Sequence, residues 1–262
     1  MTDRKQWKTG LSIGRLSEES LQRAADAGLD LVEISCIKDD DPANWALVPE
    51  WEKKTGVKAW SCHLPFGWWG DNWADPTADD PEKWQITLDR DIPLIEGCGR
   101  AGIKYMVIHP SREPFKDEDR EKYMQLAIER LKILSDICKE NGCVLCIEDL
   151  PRTCLGRDSD EMLRFMETNP DLRICFDVNH LLRENHVDFV KKVGKWIVTT
   201  HISDYDFTDE KHWFPMDGKI DWKELQAALE EADYTGPFLY ETMPKEYTWA
   251  DVKKNHNKLK EL

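Results

Sequence analysis

LRICFDVNH, residues 172–180, opens as the buried strand of a parallel sheet and closes on Asp177 and His180, two side chains whose charges are costly to bury. The same ending recurs along the chain. KAWSCHLP leads to His63, KYMVIHP to His109, VLCIEDLP to Glu148, IVTTHISD to His201 and FLYETM to Glu241, so six apolar runs carry a histidine or carboxylate at or just beyond their C-terminal ends. Residues two apart share a strand face, which places Cys146 below Glu148, Cys175 below Asp177 and Thr199 below His201. The polar set converges on one mouth, above a filling of small and apolar side chains.

These runs belong to a regular alternation of short strands with longer segments of helical period. Strands are expected near 10–15, 30–36, 57–63, 103–109, 143–148, 172–177, 196–202 and 237–242, with helices between them and a last helix near 248–261. The repeat of about 33 residues suits one strand, one helix and two loops. In EDREKYMQLAIERLKILSDICKENG, Met124, Ala127, Leu131, Leu134 and Cys138 form one stripe, and Asn141-Gly142 supplies a stop. Ser17 opens a helix ending at Gly28, and Asp221 opens one ending at Gly236. Eight successive β-α units predict an α/β fold, a single (β/α)8 TIM barrel over residues 1–262, in preference to a doubly wound open sheet. In such a barrel the C-terminal strand ends form the face on which active sites are built.

Composition narrows the partners. With 51 acidic and 36 basic residues the formal charge is −15, a field that repels a phosphate backbone, so nucleic acid is not expected. The N-terminal MTDRKQWKTG lacks an apolar signal region, and no stretch approaches the 18 or so apolar residues that cross a bilayer, giving the expectation of a cytoplasmic protein without a membrane partner. Eight cysteines scattered through apolar segments read as buried hydrophobes. Cys143 and Cys146 have C-x-x-C spacing, but within a strand they point to opposite faces.

Three carboxylates and several imidazoles crowded at one mouth repel one another unless positive charge lies between them. A divalent cation serves best, and this donor set suits Mn, Mg, Co or Zn. The ordered set Glu148, Asp177, His201 and Glu241, with DVNH and HISD around two of them, resembles the sugar isomerase and epimerase branch of the xylose isomerase-like TIM barrels. GLDLVEIS with Glu33, SCHLP, VIHPS and HWFPMDGKIDW extend the likeness over essentially the whole chain. The resemblance implies one catalytic divalent metal ion held by those four side chains, His180 against a substrate oxygen, and His63 and His109 lining the same mouth.

The chemistry so implied is proton transfer beside the carbonyl of a ketose-like carbohydrate, with Glu148 and Glu241 as the catalytic pair on opposite faces. Two loops are expected to set specificity. Trp68, Trp69 and Trp73 follow His63 and offer flat faces to a sugar ring or a subunit contact, and a homo-oligomer is one consequence. The loop after His201 carries Asp204, His212 and Trp213 and is long enough for a lid. Here Phe207 stands where the closest ketose epimerases carry a substrate-binding arginine, which leaves phosphosugar, inosose and glycoside derivatives open. Arg152 and Arg157 are candidates for an anionic group. The alternatives are a metal-dependent lyase or dehydratase of the same fold and, with less support, an apurinic-site endonuclease, whose Asp-x-His ligand pair is present only as Asp209-x-x-His212.

Overall fold

A computed structural model describes residues 7–35, 42–66, 74–113, 116–242 and 247–262. Its eight strands are β1 (Thr9–Ile13), β2 (Leu31–Ser35), β3 (Lys58–His63), β4 (Tyr105–Ile108), β5 (Val144–Glu148), β6 (Arg173–Asp177), β7 (Ile197–Ile202) and β8 (Phe238–Tyr240). Each pairs in parallel with the next, and β1 closes on β8 through Thr9 beside Phe238. The eight expected strands are therefore present and joined as a (β/α)8 barrel. Outside them, among the described residues, lie α1 (Glu18–Asp26), α2 (Val48–Thr55), α3 (Pro81–Ala101), α4 (Arg120–Glu140), α5 (Ser159–Thr168), α6 (His186–Val193), α7 (Trp222–Glu231) and α8 (Trp249–Leu259). No helix is long and apolar enough to cross a membrane among these residues.

Local chemistry explains the helix limits. Ser17 caps α1 by accepting from the Ser20 amide, and the Ser20 hydroxyl in turn accepts from the Ser17 amide. Asp221 accepts from the Glu224 amide at 3.0 Å and starts α7. In α4 the expected stripe of Met124, Ala127, Leu131, Leu134 and Cys138 is wholly buried against the barrel. The end of α7 differs from expectation: the helix stops at Glu231, because Asp233 takes a left-handed turn with φ of 57°. Gly236 serves a different purpose, since a β-carbon there would lie 2.3 Å from the Val198 carbonyl oxygen. The missing side chain lets the chain run close against β7 before entering β8.

Inside the barrel the register pairs Glu148 with Cys175 and Asp177 with His201. Val107, Cys146 and Cys175 pack together as a buried layer of small side chains beneath them. Cys143 instead lies outside the barrel with its Sγ near the carbonyls of Ile95 and Ile103, so the C-x-x-C pair does face opposite ways.

The long loop after β7 hangs on one carboxylate. Asp204 is fully buried and accepts from the amides of Tyr205, Met216 and Ile220 and from the Trp222 indole at 2.8 Å. Its backbone also bridges Trp213 in both directions. Asp204 is thus an anchor of the loop and not a lid residue facing a ligand. Replacing Asp204 by Ala strands these buried donors and should cost on the order of 3 kcal/mol in a urea unfolding titration; a loss below about 1 kcal/mol contradicts the anchoring role.

Candidate metal centre and active site

The strand ends bring most of the expected residues together. One ligand atom from each of Glu148, Asp177, His201 and Glu241 falls within 4.8 Å of the other three. His201 Nδ1 is the centre of this group, 3.2 Å from Glu148 Oε1, 3.0 Å from Glu241 Oε2 and 3.8 Å from Asp177 Oδ2. Asp177 Oδ2 is buried and has no hydrogen-bond partner among the described residues, an acceptor left open toward the cluster. Three carboxylate oxygens and one imidazole nitrogen at such spacing, one of the oxygens unsatisfied, fit a divalent cation.

The other ring nitrogen of His201 decides how it can ligate. Nε2 lies 2.8 Å from Glu33 Oε1 on β2, and Glu33 Oε2 accepts from the Ser61 hydroxyl on β3 at 2.6 Å. Glu33 and His201 are fully buried. An Nε2–H donating to Glu33 fixes the ring and turns Nδ1 toward the carboxylates, the outer-shell arrangement that orients metal-bound histidines. In the sequence Glu33 stands out only as part of a family-like strand, with no role at the site. Nothing local marks it, because its partner His201 lies 168 positions away.

Glu148 is held from both sides. Its Oε2 is 3.0 Å from His63 Nε2 and 3.3 Å from His109 Nε2, so these three also place ligand atoms within 4.8 Å of one another. His63 Nδ1–H donates to the Leu64 carbonyl at 2.8 Å, which leaves Nε2 to face the carboxylate. His180 Nδ1–H donates to the Asp149 carbonyl at 2.7 Å, and its Nε2 lies 3.0 Å from Glu210 Oε1 and 3.5 Å from Asp177 Oδ2. His212, on the loop after β7, faces the Glu241 carbonyl through Nδ1 at 3.1 Å.

These groups share a cavity of about 260 Å³, lined by His63, His109, Glu148, His180, His212 and Glu241. Asp177 and His201 lie fully buried below it. Trp68, Trp69 and Trp73 fall outside the described residues. Glu210 also reaches the cavity, and no signal in the sequence singles it out.

Burial and charge pull the protonation states apart. Burial tends to raise the Glu148 carboxyl, but His201 and His109 outweigh it and hold the group well below the ordinary range. The same opposition, led by burial and won by His201, leaves Glu241 at about 2. Asp177 goes the other way, raised to about 6 by burial with Glu241 and Glu148 adding to it. Burial lowers and the surrounding carboxylates raise His180 and His201, which both end well above the ordinary imidazole value.

Fold and site together define a closed β/α barrel carrying a carboxylate-histidine cluster suited to a divalent ion at its C-terminal mouth. The chain belongs to the xylose isomerase-like TIM barrel family, whose model matches residues 21–261. The uncharacterized protein MJ1614 of Methanocaldococcus jannaschii is 24% identical over 147 residues, so the chain spans 58% of that relative's length and the match takes in 56% of the chain. The uncharacterized protein MJ1311 of the same organism is 24% identical over 231 residues, 83% of this chain and 76% of that one. Among solved structures, a D-tagatose 3-epimerase-like protein superposes with a TM-score of 0.83 at 23% identity, covering 97% of this chain and 96% of its own. The IOLI protein with a bound zinc atom gives 0.77 at 19% identity, covering 96% of each chain. At these identities the structural likeness carries the fold.

Replacing the Glu33 carboxylate by a neutral amide in Glu33→Gln removes the charge behind His201 and should weaken Mn²⁺ binding about 10- to 100-fold in calorimetric titration while the barrel stays folded; unchanged affinity removes Glu33 from the site. A proton on Asp177 competes with a cation, and a carboxyl raised to about 6 is ionised only above that value. Mn²⁺ affinity should therefore fall as pH is lowered through about 6, and an affinity that is flat across this range contradicts ligation by Asp177.

Proposed function

We infer that the protein is a divalent-metal-dependent sugar isomerase or epimerase that moves a proton beside the carbonyl of a ketose-like substrate. The observation that carries this reading is a pair of carboxylates, buried Glu148 and partly exposed Glu241, whose Oε1 and Oε2 lie 3.2 and 3.0 Å from the same His201 nitrogen at the edge of a sugar-sized cavity. Membership of the xylose isomerase-like family supports it, as do fold neighbours that are themselves named sugar epimerases.

A divalent cation bound by Glu148, Asp177, His201 and Glu241 supplies charge stabilisation for the oxygens of the carbonyl and the hydroxyl next to it. Removal of the proton falls to the chain. Glu148 and Glu241 come from β5 and from the end of β8, strands well separated around the barrel, so their carboxylates approach the substrate from different sides. Both are depressed carboxylates, ionised and able to accept a proton at neutral pH. Withdrawal by one and return by the other inverts a carbon; return to the neighbouring carbon moves the carbonyl. His63 and His109 keep Glu148 in place, and His180 presents Nε2 to a substrate oxygen with its ring fixed by the Asp149 carbonyl.

Charge at the cavity favours an unphosphorylated sugar. The two guanidiniums in its lining are already paired, Arg112 with Asp75 at 3.0 Å and Arg152 with Glu113, Asp209 and Glu210 at 2.6, 2.8 and 2.9 Å. Arg157 faces Asp117 and Glu161. A phosphate would have to break such pairs beside other carboxylates.

Incubation of Mn²⁺-loaded protein with unphosphorylated ketoses in D₂O should place deuterium on a carbon next to the carbonyl, read by NMR, and exchange together with loss of a group selects the lyase alternative. Absence of exchange across a broad ketose panel overturns the inference. Glu148→Gln and Glu241→Gln should each lower turnover by at least about 100-fold with the barrel folded; near-normal turnover in either removes that residue from the pair.

A further inference from the structure

Behind His63 the cavity runs on toward α3, where Thr87, Asp91 and Ile108 join its lining. Thr87 and Asp91 are one helical turn apart and share the inward face of α3. That face changes character along its length. Its C-terminal half packs Leu94, Ile95 and Cys98 into the core, whereas in the N-terminal half, level with the strand ends, the fully buried residues are the polar Thr87 and Asp91. Asp91 is fully buried, and neither of its carboxyl oxygens has a hydrogen-bond partner among the described residues. Thr87 is otherwise engaged: its hydroxyl accepts from the Asp75 amide at 2.9 Å and holds the segment after the tryptophan loop against the helix.

A buried carboxyl without a partner is costly even when neutral, and a leucine at this position would pack without that cost. Helix capping does not account for Asp91, since the cap of α3 is Asp80, and among the described residues no ion pair does. The group is aligned with a cavity that already holds the candidate reacting centre at its other end. Burial raises its pKa to about 8, so near neutral pH it is an acid that can both donate to and accept from a hydroxyl.

We propose that Asp91 is a specificity-determining residue, hydrogen-bonding a hydroxyl on the tail of a sugar whose carbonyl end lies at Glu148 and Glu241. This rests on the sugar isomerase or epimerase reading and adds a preference to it: the recess rewards a substrate long enough to reach α3. Ile108, Ala74 and Pro76 supply apolar walls for the carbon chain on the way. On this proposal a six-carbon ketose reaches Asp91, and a four-carbon ketose leaves it unpaired.

The test compares wild type, Asp91→Leu and Asp91→Asn as Mn²⁺-loaded full-length chains, with D-fructose, D-psicose and D-tagatose against L-erythrulose. Deuterium exchange gives kcat and KM, and thermal unfolding reports on the fold. Asp91→Leu should lower the hexulose-to-tetrulose ratio of kcat/KM about tenfold, mainly through KM, while thermal stability is kept or increased. Asp91→Asn, which still offers a donor and an acceptor, should retain most of the wild-type ratio. An unchanged ratio in Asp91→Leu, with or without a gain in stability, means that the side chain meets only water or nothing and overturns the proposal. So does an equal loss for both sugar lengths. If the wild type exchanges none of these sugars, the proposal falls together with the functional reading; if it exchanges them and only the length dependence is missing, the functional reading stands and the role of Asp91 alone is lost.

Discussion

Glu33, Glu148, Asp177 and Glu241 are gathered around the imidazole of His201, and the cost of keeping so much negative charge out of water governs the top of the barrel. Without a counter-charge the arrangement is untenable, and the residues show how the strain is divided. Glu148 and Glu241 are held ionised by neighbouring imidazoles, and Asp177 is pushed toward the neutral form because burial and its two acidic neighbours act together. A bound dication would relieve all three at once. Protons on His180 and His201 are the substitute in its absence, which is why both rings are raised so far.

Barrel closure makes this crowding possible. Parallel strands all end on one face, so a carboxylate or imidazole at each end meets the others without any local contact along the chain. The small layer of Val107, Cys146 and Cys175 matters here, because larger residues beneath Glu148 and Asp177 would lift them out of register with His201. Glu33 reaches the cluster from the opposite wall through the barrel interior, and β2 and β3 slip by one residue between Val32 and Glu33, next to its Ser61 contact.

What the sequence reveals follows from which features are local. Strand ends such as IVTTHISD and VLCIEDLP carry their polar residues where an apolar run stops, and all four members of the quartet are legible there. Glu33 sits in the middle of LVEIS, and only the closed barrel gives it a partner. Asp204 looks like a residue facing ligand because it follows His201, yet the four donors to its carboxylate, three backbone amides and the Trp222 indole, come from both ends of one loop and draw it inward. Arg152 presents itself as an anion binder; the carboxylates that neutralise it come from loops after β4 and β7, distances no spacing rule encodes. A helix stop is misplaced where a glycine signal has a different cause, as at Gly236, whose requirement is close approach to the Val198 carbonyl.

The loops over the cavity form one connected structure, with consequences for how a substrate enters. Arg152 has a left-handed backbone, φ of 52°, and joins Glu113 after β4 to Asp209 and Glu210 after β7; Glu210 continues the chain of contacts to His180 after β6. Within the loop after β7, Phe207, His212 and Met216 also have positive φ, an uncommon density for residues other than glycine. Such strain persists only where surroundings over-determine it, and here the Asp204 carboxylate inside and the Arg152 guanidinium outside do so. His212 and Glu210 therefore reach the cavity as parts of a braced rim. On the proposed function, a substrate oxygen approaching His180 would meet a ring whose two nitrogens are already committed to Asp149 and Glu210, so binding would exchange the Glu210 contact for one to the sugar instead of filling an empty position. That exchange would be favourable for a hydroxyl or carbonyl oxygen, which would leave Glu210 free to accept from the sugar, and unfavourable for an anion, which would face Glu210 as a second negative charge.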